Sequence, residues 1–473
     1  MKCLSTILIV VGLAGRLAGA ELRAGAAQVV ITPPPGAPLA GYYHARAAEG
    51  TLDDLFAKAL VLDDGTTRVA MVTLDLISTT FSLTRDARAA IERATGLAGA
   101  HVMISATHAH TGPELTDRGQ RGVSLSDTLA GTNSITARYG ATLPERIAES
   151  VRLAVARLTN VLVSTATGRC DHLAYNRRFY MKDGSVAWNP GKLNPDIVLP
   201  AGVTDPEVGL VLIEPPHAPG QLVPAYAAYV NFAMHPDTVG GARFSADYPG
   251  ALSRRLAEYH GSNCVTLFAN GACGNLNHLD VNWARQQSTR AEADRLGTIL
   301  AASVFLAEKS LRVISAAPLR VKSARVELPL APITPEEVAQ ARLTVRTGND
   351  RTRENFMKLV KAYQVLDVAA REGQPLEVEV QVIALGDELA WVSLPGEIFV
   401  ELGLALKARS PFRQTMIAEL ANGSIGYIPD RRSYAEGNYE PVSARCAAGS
   451  GEQLVATALE LLRELHRAAT SKP

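Results

Sequence analysis

Four short apolar runs in this chain each stop at a turn rich in glycine or proline. Each then hands over a side chain that can bind a metal or move a proton. His101-Val102-Met103-Ile104 leads through Ser105-Ala106-Thr107 to His108-Ala109-His110 and stops at Thr111-Gly112-Pro113. The run 226–234 ends in His235-Pro236. The run 390–394 ends in Pro395-Gly396, with Glu397 opening a helical pattern over 398–407. The run 415–420 ends in the loop 421–426, followed by Tyr427. Short apolar runs bounded by breakers read as buried strands. In open α/β sheets, sites gather beyond the carboxyl ends of such strands.

Each residue taken singly has a plainer explanation. His-x-His on an extended strand shares one face, which suits a metal pair or simply two polar residues on one side. A histidine before proline is often only hydrogen-bonded. A glutamate at a helix start can answer to the helix dipole alone, and a tyrosine after glycine can be packing. The coincidence of four strand ends favours a site.

The rest of the chain reads as α/β. Residues 58–62 and 68–74 form a hairpin around Asp63-Asp64-Gly65. Helical patterns fall at 83–95, 143–158, 249–259, 288–309 and 452–468. Residues 334–371 read as a helical hairpin, a flank or lid. Thr334 and Glu337 form its capping box, Pro335 takes the first position, and Ile333 and Val338 form the staple. Residues 430–451 read as a long polar loop of the kind that walls active sites.

These pieces resemble the catalytic domain of the neutral (alkaline, non-lysosomal) ceramidase family. The resemblance rests on Ile31-Thr32-Pro33-Pro34 with Gly41-Tyr42, residues 105–113, Asn176-Arg177, and residues 231–236. Leu394-Pro395-Gly396-Glu397, Gly426-Tyr427 and Tyr439-Glu440 complete it. Their order and spacing extend over most of the chain. The resemblance implies one zinc ion per chain, held by His108, His235, Glu397 and Tyr427. His110 would stand beside the metal as acid/base, and Arg177 and Tyr439 would contact the substrate or the developing oxyanion. Two departures bear on substrate. The family's Gly-Asp-Val-Ser-Pro-Asn loop corresponds to Gly274-Asn275-Leu276-Asn277-His278, so Asn277 stands where the family has its serine. A helix occupies 452–468, where the family's immunoglobulin-like β domain would begin.

That ligand set favours zinc over magnesium or calcium, which prefer all-oxygen shells. Tyrosine binds best as phenolate, so the metal must lower its pKa. Water attack at zinc needs no serine, and the Asn277 amide is left to orient a substrate carbonyl.

The 47 basic and 47 acidic side chains cancel, which gives no electrostatic reason to expect nucleic acid as a partner. Lys2, an apolar core over 4–14 and Ala18-Gly19-Ala20 read as a secretory signal cleaved after Ala20, the alternative being an uncleaved anchor. The mature domain then spans 21–473 and is secreted or periplasmic. Cys170, Cys264, Cys273 and Cys446 remain; Cys273 and Cys446 are the candidate pair, against free buried thiols. Aromatic residues make up only 5%, so no membrane-facing aromatic cluster stands out and membrane contact is not indicated. Nothing in the sequence specifies an oligomeric state.

The expectation is therefore a mixed-sheet α/β catalytic domain with a strand-end zinc site, flanking helices and no C-terminal immunoglobulin-like domain. Its expected reaction is hydrolysis of a small-molecule or lipid-like N-acyl amide. The alternatives are a hydrolase of a small polar amide, ester or acylated sugar, and a non-catalytic binding protein of the same fold.

Overall fold

The computed structural model describes residues 22–115, 118, 133–218, 220–221, 223–314, 318–347 and 352–470. The expected signal segment lies outside them. Three sheets carry the body of the molecule. The first runs Val102–Ala106, Arg68–Leu74, Phe56–Asp63, Arg23–Val30, Thr159–Asn160. The second runs Val265–Asn270, Ala227–Phe232, Glu207–Glu214, Leu162–Arg169, Arg312–Val313. The third runs Leu319–Leu328, Leu376–Leu385, Leu389–Ser393, Gln414–Ala418. This is a mixed α/β architecture, as the sequence implies.

Each sheet contains one parallel pair among otherwise antiparallel neighbours. The pairs are Arg68–Leu74 with Val102–Ala106, Ala227–Phe232 with Val265–Asn270, and Leu389–Ser393 with Gln414–Ala418. Parallel neighbours need a long crossover. Here each crossover carries one helix: Phe81–Thr95, Asp247–His260 and Val400–Arg409 respectively. The first shows how sequence sets such a helix. The Thr80 hydroxyl accepts the Leu83 N–H at 3.1 Å, and Gly96, at φ 70°, ends it in the left-handed conformation.

The period-two alternation of the strands divides the apolar residues between two kinds of core. Met71, Met103, Val211, Tyr229, Leu267, Ile383, Trp391 and Met416 point from all three sheets into one shared core. Their neighbours face outward. Val72 and Ile104 pack on Phe81–Thr95 and Asn133–Ala156. Val230 and Phe268 pack on Asp247–His260 and Arg290–Ala307. Val380 and Val392 pack on Val400–Arg409 and Ser450–Thr470.

Three buried asparagines link the sheets near the carboxyl ends of the parallel pairs. Asn231 donates to Ala269 O at 2.8 Å and Ile417 O at 2.7 Å, and accepts from Ile417 N at 3.2 Å. Asn270 donates to Thr107 O at 2.9 Å. Asn422 accepts from Ile104 N at 3.0 Å and donates to Gln381 Oε1 at 3.0 Å. The second sheet is thus tied to the first and third, and the third to the first.

Two local readings change. Glu397 does not open a helix. Glu397–Ile398 is a short strand parallel to Tyr427–Ile428, because Glu397 N donates to Gly426 O at 2.9 Å; the helix begins at Val400. Residues 430–451 are not one loop. They include the short helices Arg431–Glu436, capped by Asp430, and Tyr439–Ser443, capped by Asn438. Pro335–Thr347 and Arg353–Ala369 occupy the hairpin segment, and Thr334 and Glu337 exchange the two capping bonds at 3.2 and 2.8 Å.

Replacing Asn231 with Ala strands Ile417 N and two carbonyls in a water-free interface. The expected loss of unfolding free energy is about 2–4 kcal/mol, read by urea denaturation. A loss under about 0.5 kcal/mol, the level of an ordinary surface change, would mean that the amide does not hold the sheets.

Candidate metal centre and active-site cavity

The carboxyl ends of the three parallel pairs meet, and they bring His108, His110, His235, Glu397 and Tyr427 together. His108 follows Val102–Ala106 in a left-handed backbone conformation, φ 69°, which is uncommon for a residue bearing a Cβ. Its Nδ1 lies 2.6 Å from Ile77 O. His235 follows Ala227–Phe232, and its Nδ1 lies 2.9 Å from Cys273 O. A carbonyl only accepts, so each Nδ1 carries a proton, and in the neutral ring each Nε2 presents a lone pair. Both lone pairs face one carboxylate oxygen: Glu397 Oε2 is 3.4 Å from His108 Nε2 and 3.3 Å from His235 Nε2. His235 Nε2 and Glu397 Oε2 are buried without a hydrogen-bond partner.

Two Nε2 atoms converging on one buried carboxylate oxygen call for a cation between them, a proton or a metal ion. Burial opposes charge on Glu397, but His108 and His235 overcome it and hold the carboxyl well below its usual range. Burial likewise opposes charge on His108, and the Glu397 carboxylate outweighs it and raises the imidazole. His235 is pushed down to about 3 by burial, Arg177 and His108. The donor set, two imidazoles fixed through Nδ1 and one carboxylate, fits a divalent metal with its outer hydrogen bonds already made.

Tyr427 stands beside this set because it is the register partner of Glu397 in the parallel strand pair. Its hydroxyl accepts from Arg177 Nη2 at 3.0 Å. Burial pushes the phenol up and Arg177 pulls it back. Arg177 also donates to Glu440 Oε1 at 2.9 Å and Gly274 O at 2.6 Å. Its guanidinium is therefore turned to Tyr427 and the backbone, and it does not line the cavity. His110 Nε2 is 3.4 Å from His108 Nε2, and its Nδ1 is 3.5 Å from Asp237 Oδ1, which accepts the Tyr42 hydroxyl at 2.6 Å. His108, His110 and His235 place ring nitrogens within 4.8 Å of one another, so the three imidazoles form a second overlapping donor set. Burial and its two imidazole neighbours hold His110 well below its ordinary value, hence neutral.

Asn277 lies apart from this group. Its amide donates to Asn189 Oδ1 at 3.1 Å and its carbonyl accepts Leu279 N at 3.1 Å, which occupies both ends, and it does not line the cavity. The loop before it braces the site. Gly274 N donates to Ile398 O at 2.7 Å, and a Cβ there would meet Glu397 O at 2.4 Å, so only glycine fits.

A cavity of about 240 Å³ opens over His108, His110, Glu397, Tyr427 and Tyr439. Its wall also carries Arg371 and Arg445, neither of which the sequence signalled. Trp188 stacks on Tyr439 with centroids 4.3 Å apart, Phe356 extends the stack, and Tyr43 meets Phe356 edge-on. This aromatic cluster is drawn from distant segments and is invisible in composition. Glu419, also missed, accepts from Cys273 N at 3.1 Å, Cys273 Sγ at 2.8 Å and Ile398 N at 2.9 Å. It thereby ties the carbonyl that orients His235 to the strand that carries Glu397, and burial pushes its carboxyl up to about 8. A lone carboxylate inside the apolar run 415–420 was its signal.

The proposed pairing of Cys273 with Cys446 does not occur. The four cysteines among the described residues are buried and free: Cys273 is engaged with Glu419, while Cys446 lies 3.4 Å from the Tyr434 hydroxyl.

The chain matches no protein-family model and no curated protein by sequence. Its fold does match solved structures. The neutral ceramidase from Pseudomonas aeruginosa aligns with a TM-score of 0.73 at 18% identity, over 95% of this chain and 75% of that one. A ceramidase complexed with C2 aligns with a TM-score of 0.71 at 16% identity, over 95% of this chain and 76% of that one. The fold is neutral-ceramidase-like.

Thiol titration checks the cysteine state. The folded protein should react slowly with a disulfide reagent, because buried thiols are poorly ionised. In denaturant without reductant, Cys170, Cys264, Cys273 and Cys446 should all titrate. Loss of two of these thiols would reveal a disulfide.

Proposed function

We propose that this protein is an exported, zinc-dependent hydrolase that cleaves an N-acyl amide or a related acyl bond. The observation that carries the reading is the pair of Nδ1-anchored imidazoles whose Nε2 atoms face Glu397 at 3.4 and 3.3 Å. The proposed ligands are His108, His235, Glu397 and Tyr427, with one zinc ion per chain. Zinc in such a site supplies a Lewis acid that brings the pKa of water to about 7 and polarises a carbonyl.

The chain's own groups divide the remaining work. His110, neutral and beside His108, takes a proton from the attacking water and returns it to the leaving amine. Water adds across the C–N bond, with its hydroxyl going to the acyl carbon and its proton to the nitrogen. Tyr439, at the cavity wall, is placed to donate to the oxygen that gains charge. Arg177 acts through Tyr427, where its positive charge favours the phenolate.

The fold neighbours named as ceramidases support hydrolysis of an N-acyl amide as the reaction class. The cavity supports a modest substrate: about 240 Å³ lies below the roughly 300–1,000 Å³ of pockets that enclose a drug-sized ligand. A small polar amide therefore fits this cavity better than a long-chain lipid. Export is proposed from the N-terminal pattern, and no helix among the described residues is long and apolar enough to cross a membrane.

Elemental analysis tests the ligands. Wild type should hold one zinc per chain and His235→Ala should hold none. His110→Ala should keep zinc and lose about 10²–10⁴-fold in hydrolytic rate, as removal of an acid/base group does. Zinc loss in His110→Ala would move that residue into the ligand set. An inert wild type with full zinc would favour a binding protein.

A ceramide series tests the substrate. Activity should be weak or absent on long-chain ceramide and should rise as the acyl chain shortens. Efficient long-chain turnover, abolished by His108→Ala, would overturn this part of the proposal.

A further inference from the structure

The charges around the cavity are unequal. Among the described residues, and apart from Glu397, its wall holds three arginines, Arg118, Arg371 and Arg445, and one acidic residue, Asp367. Asp367 is taken by Arg445, whose Nε donates to it at 2.7 Å. Arg118 is matched by Glu114 Oε1 at 2.6 Å. Arg371 differs. Its Nε donates to Gln374 O at 3.1 Å and its Nη2 to Pro375 O at 2.6 Å. Two backbone carbonyls fix the guanidinium without neutralising it, and no carboxylate of the described residues pairs with it. It sits just past the end of Arg353–Ala369, one helical turn after Asp367, which turns away to Arg445.

A divalent cation on Glu397 would add further positive charge at the other functional group of the same cavity. A small, partly enclosed space with positive charge at both places concentrates anions and discriminates against neutral ligands. An immobilised guanidinium suits a carboxylate, since its fork is already set and little freedom is lost on binding.

We propose that the cavity selects an N-acyl substrate bearing a free carboxylate, of the N-acyl amino acid class, with Arg371 binding that carboxylate. This rests on the hydrolase reading above and narrows its substrate. The acyl amide carbonyl would then meet His110 and Tyr439, while the carboxylate is held by the hairpin. The segment 334–371, read from sequence as a flank or lid, becomes the part of the chain that sets specificity.

The test uses the zinc-loaded full chain with N-butanoylglycine and N-butanoylglycinamide, which differ only in carboxylate against carboxamide. Turnover and calorimetric binding are both measured, for wild type, Arg371→Gln and Arg371→Lys. Wild type should favour N-butanoylglycine by about 10–100-fold, the worth of one charge-assisted hydrogen bond. Arg371→Gln should lose most of that ratio, and Arg371→Lys should recover part of it. Equal treatment of the two compounds by wild type would overturn the proposal. So would a carboxylate preference that Arg371→Gln leaves intact, because the anion would then sit on the metal. If neither compound is hydrolysed, the hydrolase reading fails for this substrate class, and the binding ratio still decides whether Arg371 selects a carboxylate. Retained thermal unfolding temperature in the Lys variant separates recognition from the guanidinium's part in fixing the turn.

Discussion

Side chains from three separate sheets must be held within hydrogen-bond distance of one another, and buried amides do this. Apolar packing in the shared core brings the sheets together but is indifferent to sliding by a fraction of an ångström. Asn231, Asn270 and Asn422 are not indifferent: each requires named backbone groups on a second sheet. Leaving such a group unpaired in a dry interface costs about 1–3 kcal/mol, so the sheets dock in one register. The loop at Gly274 and the carboxyl of Glu419 carry that precision from the strands to the two imidazoles and Glu397.

The electrostatics of the centre follow from that geometry. His108 and His235 hold the Glu397 carboxyl well below its usual range against the cost of its burial. Its proton-sharing partner is His108, whose Nδ1 is committed to Ile77 O. A metal bound there would find both Nδ1 hydrogen bonds already made, so the outer hydrogen bonds would need no rearrangement. Arg177 extends the same logic to Tyr427, bringing positive charge to a buried phenol.

Much of this was legible in sequence because strand ends announce themselves. His108, His235, Glu397 and Tyr427 each lie where an apolar run meets a breaker, and the structure puts all four in one place. The capping box at Thr334 and Glu337 was equally readable, since its two bonds are local. The division into three sheets was not readable, because the parallel pairs are joined through long crossovers and the amides that link them look like ordinary polar residues in apolar runs. The short helices after Tyr427 were hidden because, at 6 and 5 residues, they are too short to show an apolar period, although Asp430 and Asn438 stood ready as caps. The roles of Arg371 and Asn277 depend on which partner is nearest in space, and no local pattern encodes that.

The placement of one donor group at the end of each parallel pair has a consequence for how the molecule is made. His108, His235 and Glu397 are far apart in the chain and sit on different sheets, so no sheet can form the centre alone. Closing such loops is entropically costly and is repaid only when the last sheet docks. A chain with only the first two sheets assembled would hold the three imidazoles but lack the Glu397 carboxylate. On the proposed ligand set, complete metal binding would wait for the third sheet, and a bound ion would in turn brace all three sheets where they meet.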